Sequence, residues 1–317
     1  MIDFSLAENI QQQRDIAQAM AETMMRPVSR KYDDLEGEPA WGYINFMWEV
    51  TKAQEQIKEA SIPENDSHKA QEGPTSPSGN MMLIHLAEAF SWGDVGLYLS
   101  TPSSGLAGFA IDSVGTLEQK EHFLKRFQEG NPKWGAMAIT ESHAGSDTAN
   151  IKTTATLDRA TNEWIINGEK IFITAGKMAG THPEGIVVVW ATVDPGAGRA
   201  GIKSFIVEAG TPGFIVGKIE QKLGIRASDT AVLHFQDCRI PYENILGSPE
   251  VIHSNKRVGF KGVMRTLDAS RPPVAATAIG VARAALELTT TTLGKVGLAP
   301  RYDVPRYQLT AAEHDML

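Results

Sequence analysis

The sequence predicts an α+β multidomain chain: a helical N-terminal domain, a middle β domain folded as a sandwich or barrel, and a second helical region at the C-terminal end. Three observations carry that expectation. Up to about residue 130, apolar and small residues recur at helical spacing. From residue 152 to residue 235, six short β-branched or aromatic runs are separated by turn residues. After Pro241 the period returns to that of a helix. The changes of period place the boundaries at 1–132, 133–247 and 248–317.

In order along the chain, Ser5 and Glu8 fit a capping box, and Ile16, Met20 and Met24 form a stripe that predicts a helix to about Arg26, ended or kinked by Pro27. A second helix is expected over Trp41–Ala60, bounded by Pro39 and Pro63. Ser61–Asn80 is polar and carries three prolines, which predicts an exposed loop. Met81–Gly130 returns to helical spacing and ends in an amphipathic stretch, Leu117–Gln128. The expected strands are Lys152–Leu157, Glu163–Asn167, Lys170–Thr174, Gly185–Val193, Ile202–Val207 and Thr230–Phe235. Asp158–Asn162 reads as a hairpin loop, and Asn167-Gly168 as a tight turn. Phe260–Thr292 reads as one long Ala-rich helix with Ala275, Ile279, Ala282, Leu286 and Thr289 on a stripe, kinked or restarted at Pro272-Pro273.

Composition narrows the function. The 317 residues include 30 Lys+Arg and 38 Asp+Glu, a net charge of −8, which argues against nucleic acid or an anionic membrane as the main partner. A single cysteine, Cys238, excludes a disulfide framework and multi-cysteine metal motifs, and suits a reducing, cytoplasmic compartment. Neither a membrane-spanning apolar run nor a secretory signal is visible. G-x-G-x-x-G, Walker A, H-E-x-x-H and G-x-S-x-G are absent, and the eight histidines lack metal-ligand spacing. No metal site is expected.

Two clusters carry chemistry. Ala138-Ile139-Thr140-Glu141-Ser142-His143-Ala144-Gly145-Ser146-Asp147 offers hydroxyls and a permissive glycine, suited to a phosphate or a flavin edge; an ordinary Ser/Asx turn at a domain junction is the alternative. In Gly168–Gly176, strand alternation puts Phe172 and Thr174 on one face and Ile173 on the other, which sets a ring and a hydroxyl against a planar ligand. The alternative there is a half-buried strand with Phe172 in the core.

In this order the clusters resemble the acyl-CoA dehydrogenase family. The resemblance runs from about Phe4 to Thr292 and rests on four motifs: A-I-T-E-S-H-A-G-S-D, N-G-E-K-I-F-I-T, the Leu223–Gly247 segment beginning L-G-I-R-A-S-D-T, and L-D-A-S-R-P from Leu267 to Pro272. Ser142-His143 and Asn150 depart from the family signature. The resemblance implies that the C-terminal region is the start of a helical bundle, most of which this chain lacks. It implies FAD bound between the β domain and the C-terminal helices, and removal of two hydrogens from an acyl-CoA thioester to give a trans-2-enoyl-CoA. By motif match, Met137, Ile139, Thr140, Gly145, Ser146, Phe172, Ile173 and Thr174 are cofactor-binding, while Ser146, Asp268 and Arg271 lie on the acyl-CoA side. Thr140 would bond the pyrimidine edge, and the Thr174 hydroxyl would lie near the hydride-accepting nitrogen.

The expected partners are an electron-transfer flavoprotein and further subunits, in a homodimer, homotetramer or hetero-oligomer. No catalytic base is assigned. Most relatives carry it on a glutamate near the C-terminus, beyond Leu317; a minority carry it where this chain has Ser270, and serine cannot abstract such a proton unaided. Glu287 and Glu313 read as solvated helix residues, and Gln308–Leu317 as the opening of another helix. A non-catalytic or half-site subunit, and a flavin oxidase or monooxygenase on the same fold, remain alternatives.

Overall fold

The computed structural model describes residues 6–60, 77–251 and 258–297. Helix α1 (Glu8–Met20) begins at Ala7, which gives no side-chain cap. Glu8 is therefore the first helical residue rather than the third, so the expected capping box does not form; Ser5 lies outside the described residues. The buried stripe is Ile10, Ala17, Ala21 and Met25, with Ile16 exposed, one position along from the expected one. A π-helical turn over Ala21–Met25 changes the register and leads into α2 (Arg26–Asp34). Pro27 sits in the first turn of α2, where its missing N–H is tolerated, and the chain passes it without ending.

Helix α3 (Trp41–Ala60) matches expectation. Helix α4 (Pro77–Ser100) starts inside the expected loop: Pro77–Asn80 form its first turn, and the remainder of that loop, 61–76, lies outside the described residues. α4 breaks at Asp94 (φ −167°, ψ 118°). There the Asp94 carboxylate accepts the Leu97 N–H at 2.8 Å and the Ser29 hydroxyl, so it caps the second half of α4 and ties it to α2. Helix α5 (Gly105–Val114) precedes α6 (Leu117–Leu124), which opens on a Thr116–Gln119 capping box and runs into a 3₁₀ turn, Lys125–Gln128.

The middle region is one curled seven-stranded sheet: β1 (Gly135–Ala138), β2 (Thr154–Asp158), β3 (Glu163–Thr174), β4 (Ile186–Thr192), β5 (Ile202–Glu208), β6 (Phe214–Ile219) and β7 (Thr230–Pro241). The order is β1-β4-β2-β3-β7-β6, with β5 on β4. β1 runs parallel to β4. A short helix, α7 (Gly176–Thr181), follows β3. Asp158–Asn162 does turn the β2–β3 hairpin. Asn167-Gly168, by contrast, is not a turn, and the two runs around it are the single strand β3. The Asn167 amide instead exchanges hydrogen bonds with Asp237 (3.1 and 2.8 Å) across a register shift, and Gly168 takes φ +152° where an added Cβ would lie 2.5 Å from Thr153 Oγ1. Sequence alone gave no sign of β1, whose four residues are all buried and do not alternate, or of β6, interrupted by Gly217 and Lys218.

β4 is buried along its whole length and covered on both faces. One face packs Val187 and Val189 with Ala136, Ala138, Trp164 and Phe205; the other packs Val188 and Trp190 with Met137, Ile139, Phe123 and Val263. Helix α8 (Val258–Lys295) passes Pro272 and Pro273 as one element, so the expected restart does not occur. Its small residues Ala276, Gly280 and Ala284 are buried at the crossing with α4, while Ala275, Ile279, Ala282 and Leu286, the expected stripe, face outward. Glu287 is not merely solvated: it accepts the Trp92 indole N–H at 2.7 Å and pairs with Arg283, which also holds Glu88 at 2.5 Å. Glu313 and 308–317 lie outside the described residues. Among the described residues, no helix is long and apolar enough to cross a membrane, and no group of His, Cys, Asp or Glu is arranged to hold a metal.

Candidate functional site

The site begins where β1 ends. The side chains of Met137 and Ile139 are buried in the apolar layer with Phe123 and Phe127, so both pack the sheet rather than face solvent. Thr140 is the first partly open residue after them. Its carbonyl accepts the Ile171 N–H at 2.9 Å, which joins the end of β1 to β3. Among the described residues, its N–H and hydroxyl have no protein hydrogen-bond partner.

Glu141 is buried, and its carboxylate is saturated. Oε1 accepts from Lys170 Nζ at 2.7 Å, the Thr153 hydroxyl at 2.6 Å and the Thr153 N–H at 3.0 Å, and Oε2 accepts the Lys152 N–H at 2.7 Å. Lys170, with 0% side-chain exposure, also donates to the Ile139 carbonyl at 3.1 Å. Burial opposes the charge on Glu141, but the Lys170 ammonium and the three hydrogen bonds outweigh it and hold the carboxyl below its ordinary value. Burial pushes Lys170 down to about 8 against the pull of Glu141, which leaves it protonated at neutral pH. Glu141 thus cannot serve as a base while Lys170 holds it. Sequence reading placed both residues inside motifs and assigned neither a role; a lysine immediately before the apolar run Ile171-Phe172-Ile173 was the available signal.

Phe172 stands two residues beyond Lys170, on a register shift of β3 against β7 between Lys170 and Ile173. The extra residue is accommodated by a left-handed backbone at Phe172 (φ 59°). The ring is thereby turned out of the core, 61% exposed, while Ile173 is buried and Thr174 half-buried. Phe172 is therefore not a core residue, and the expected split between Phe172/Thr174 and Ile173 holds in burial. The Thr174 hydroxyl has no protein partner among the described residues. Beyond it, Ala175 (φ 58°) and α7 are fixed by Asp229, whose carbonyl accepts the Ala175 N–H at 3.0 Å and whose carboxylate accepts the Lys177 N–H at 2.7 Å. Burial raises the Asp229 pKa.

Gly145 and Ser146 are exposed on the excursion between Glu141 and Lys152. An added Cβ at Gly145 would meet nothing within 4 Å, so the loop is open there. The two departures from the family signature meet on this loop: the His143 ring Nε2 lies 3.1 Å from the Asn150 carbonyl and 3.6 Å from Glu141 Oε2. Asp268 and Arg271 form an exposed i,i+3 pair on α8 at 2.8 Å. Ser270 is buried with its hydroxyl on the Leu267 carbonyl at 3.1 Å. Cys238 is buried and its thiol is pushed up to about 12 by burial, which removes it from thiolate chemistry.

The arrangement fits a flat heteroaromatic group with a polar edge. An outward aromatic ring is held beside two unsatisfied threonine hydroxyls and an unsatisfied N–H, and hydroxyl-bearing Ser142 and Ser146 follow on an open loop suited to a phosphate. Cavities of about 580 and 370 Å³ lie around His122 and Glu208, and one of about 290 Å³ lies beside Asp94 and Arg226; Thr140, Phe172 and Thr174 line none of these three.

Residues 136–238 match the family model described as acyl-CoA dehydrogenase, middle domain. The chain is 36% identical over 294 residues to the acryloyl-CoA reductase (NADH) of Anaerotignum propionicum, covering 91% of this chain and 66% of that protein. It is 35% identical over 286 residues to the short-chain specific acyl-CoA dehydrogenase of Clostridium acetobutylicum, covering 90% and 68%. It thus spans about two thirds of the length of these curated relatives. Among solved structures, butyryl-CoA dehydrogenase from Megasphaera elsdenii superposes with a TM-score of 0.76 at 30% identity, covering 99% of this chain and 77% of that one. From its four motifs, its sheet and these likenesses, the chain belongs to the acyl-CoA dehydrogenase family of FAD-dependent oxidoreductases.

Proposed function

We propose that the chain binds FAD across the Thr140–Ser146 loop and the Phe172–Thr174 bulge, and takes part in α,β-dehydrogenation of an acyl-CoA thioester. The observation that carries this reading is the outward ring of Phe172, itself a left-handed residue, beside Thr140 and Thr174, whose hydroxyls have no protein partner among the described residues. FAD, when bound, supplies the hydride acceptor that no side chain can provide. Phe172 would cover a ring face, and the Thr140 N–H and hydroxyl would serve the pyrimidine edge. The Thr174 hydroxyl, half-buried at the end of the bulge, would donate a hydrogen bond to the ring. Ser146, Asp268 and Arg271 are assigned to the acyl-CoA side, with Arg271 as the fixed cation. The α-proton requires a carboxylate, and the site as described supplies none: Glu141 is held by Lys170, and Ser270 by its own helix. The described residues thus furnish the binding half of the reaction, and electrons would leave to an electron-transfer flavoprotein.

Reconstitution with FAD is expected to give a visible flavin band that shifts on adding acyl-CoA. Anaerobic bleaching by substrate is expected to be slower than in a full-length relative by about 10²–10⁴, the usual contribution of a general base. Colourless protein that cannot be reconstituted would refute the reading, and bleaching at full rate would refute the missing base. Rapid reoxidation by air would favour the oxidase alternative.

The outward stripe of α8, with Ile279 and Leu286 both exposed, supports association with a second copy of the chain. In sedimentation, the wild-type chain is expected to run as a dimer or larger, and Ile279→Lys/Leu286→Lys as a monomer. A monomeric wild-type chain would remove this part of the proposal.

A further inference from the structure

We infer that the buried Glu141–Lys170 pair is a positioning device: through one carboxylate it fixes the mutual placement of Thr140, the 142–151 excursion and the Phe172–Thr174 bulge. The inference rests on the FAD reading for what is being positioned, but the geometry stands by itself. Glu141 lies at the exit of the excursion and holds Lys152 and Thr153 at its return, so its carboxylate closes the base of the loop that carries Gly145 and Ser146. The same carboxylate holds Lys170, two residues before Phe172.

Lys170 adds an orientation. Because its ammonium grips the Ile139 carbonyl, and the N–H of the next residue points opposite to that carbonyl in a trans peptide, the Thr140 N–H is directed away from Lys170 and left free. The next peptide is fixed likewise: the Thr140 carbonyl takes the Ile171 N–H, and the Glu141 N–H turns to the Ala144 carbonyl at 3.1 Å. An apolar pair of similar volume would fill the space but leave both peptides without a reason to choose this orientation. Neither Glu141 nor Lys170 is placed in contact with the flavin; each acts through Thr140, the loop or Phe172.

Either single substitution strands a buried charge, so the double variant Lys170→Met/Glu141→Gln, which removes both charges and keeps volume, carries the test. The apo protein is compared by hydrogen exchange resolved to segments. The expected result is at least about tenfold faster exchange over 142–151 and at the Ile171 amide, with β4 and β5 amides unchanged, since opening is local to the released elements. In parallel, FAD affinity is expected to fall about tenfold or more and the visible circular dichroism of bound flavin to change, the scale of a roughly 1 Å misplacement. Unchanged exchange in the loop, or a uniform rise across the sheet with FAD affinity retained, would overturn the inference. If the wild-type chain takes up no FAD, the functional reading falls, and the exchange pattern still decides the role of the pair.

Discussion

Replacing Lys170 alone by methionine is expected to lower the unfolding free energy at neutral pH by about 3–5 kcal/mol, the range for a buried pair that loses one partner. The size follows from what remains. Glu141, 5% exposed, would keep its hydrogen bonds from Thr153 and Lys152 but lose the buried ammonium that lies 2.7 Å from its carboxylate. The loss should depend on pH with a definite sign. In the wild type the Glu141 carboxyl lies below the ordinary glutamate value of 4.5, so its contribution is fully present above that value and disappears as pH falls through the folded one. Without Lys170 the burial that opposes the charge gains ground, the carboxyl rises, and folding then takes up a proton. The gap between wild type and variant should therefore be widest near neutrality and narrow as pH drops toward 4–5, roughly the carboxylate range. Urea titrations at several pH values measure it. A gap that is constant with pH would mean that Lys170 matters only for its packing. The double variant should recover most of the stability, because neutral replacements strand no charge; it should not recover the loop, which separates stability from placement.

The legibility of the sequence tracks how local each cause is. Thr140, Phe172 and Thr174 stand out as candidates because their residue types lie at fixed offsets in short motifs, and the Asp158–Asn162 hairpin is legible because its turn chemistry is contained within it. Asn167-Gly168 has the same local signature and misleads. Its conformation is set by Asp237, 70 residues away in sequence, and by the Thr153 side chain pressed against Gly168. The left-handed Phe172 is likewise a product of pairing with β7, which no periodicity in β3 announces. The offset of the α1 stripe is already present at Ala17, buried where Ile16 is expected, ahead of the π turn over Ala21–Met25. The Glu141–Lys170 pair joins two motifs that were each read for their hydroxyls and rings. The link between them is tertiary and invisible to spacing.

Gly280 shows the same limit with a larger mechanical consequence. In the sequence it is one more small residue in an Ala-rich helix, where Gly→Ala at an exposed interior position normally stabilises by about 1 kcal/mol through helix propensity. In the structure an added Cβ would lie 2.2 Å from the Glu88 carbonyl oxygen and 2.8 Å from the Trp92 backbone nitrogen, both backbone atoms of α4 that cannot rotate aside. Gly280→Ala is therefore expected to reverse the usual sign and destabilise by about 1–3 kcal/mol, the cost of overpacking, with Gly280→Val worse. Separation of the helices would also strain the contacts that flank the crossing, Arg283 with Glu88 and Glu287 with the Trp92 indole. Trp92 fluorescence should shift with the loss of stability in urea titrations. Gly294, on the same helix with nothing within 4 Å of an added Cβ, is the internal control: Gly294→Ala should be neutral or stabilising by up to about 1 kcal/mol. Should both substitutions stabilise, the close α4–α8 crossing would not be the contact that locks α8 against the N-terminal helices. Opposite signs would show that Gly280 is required for the approach itself.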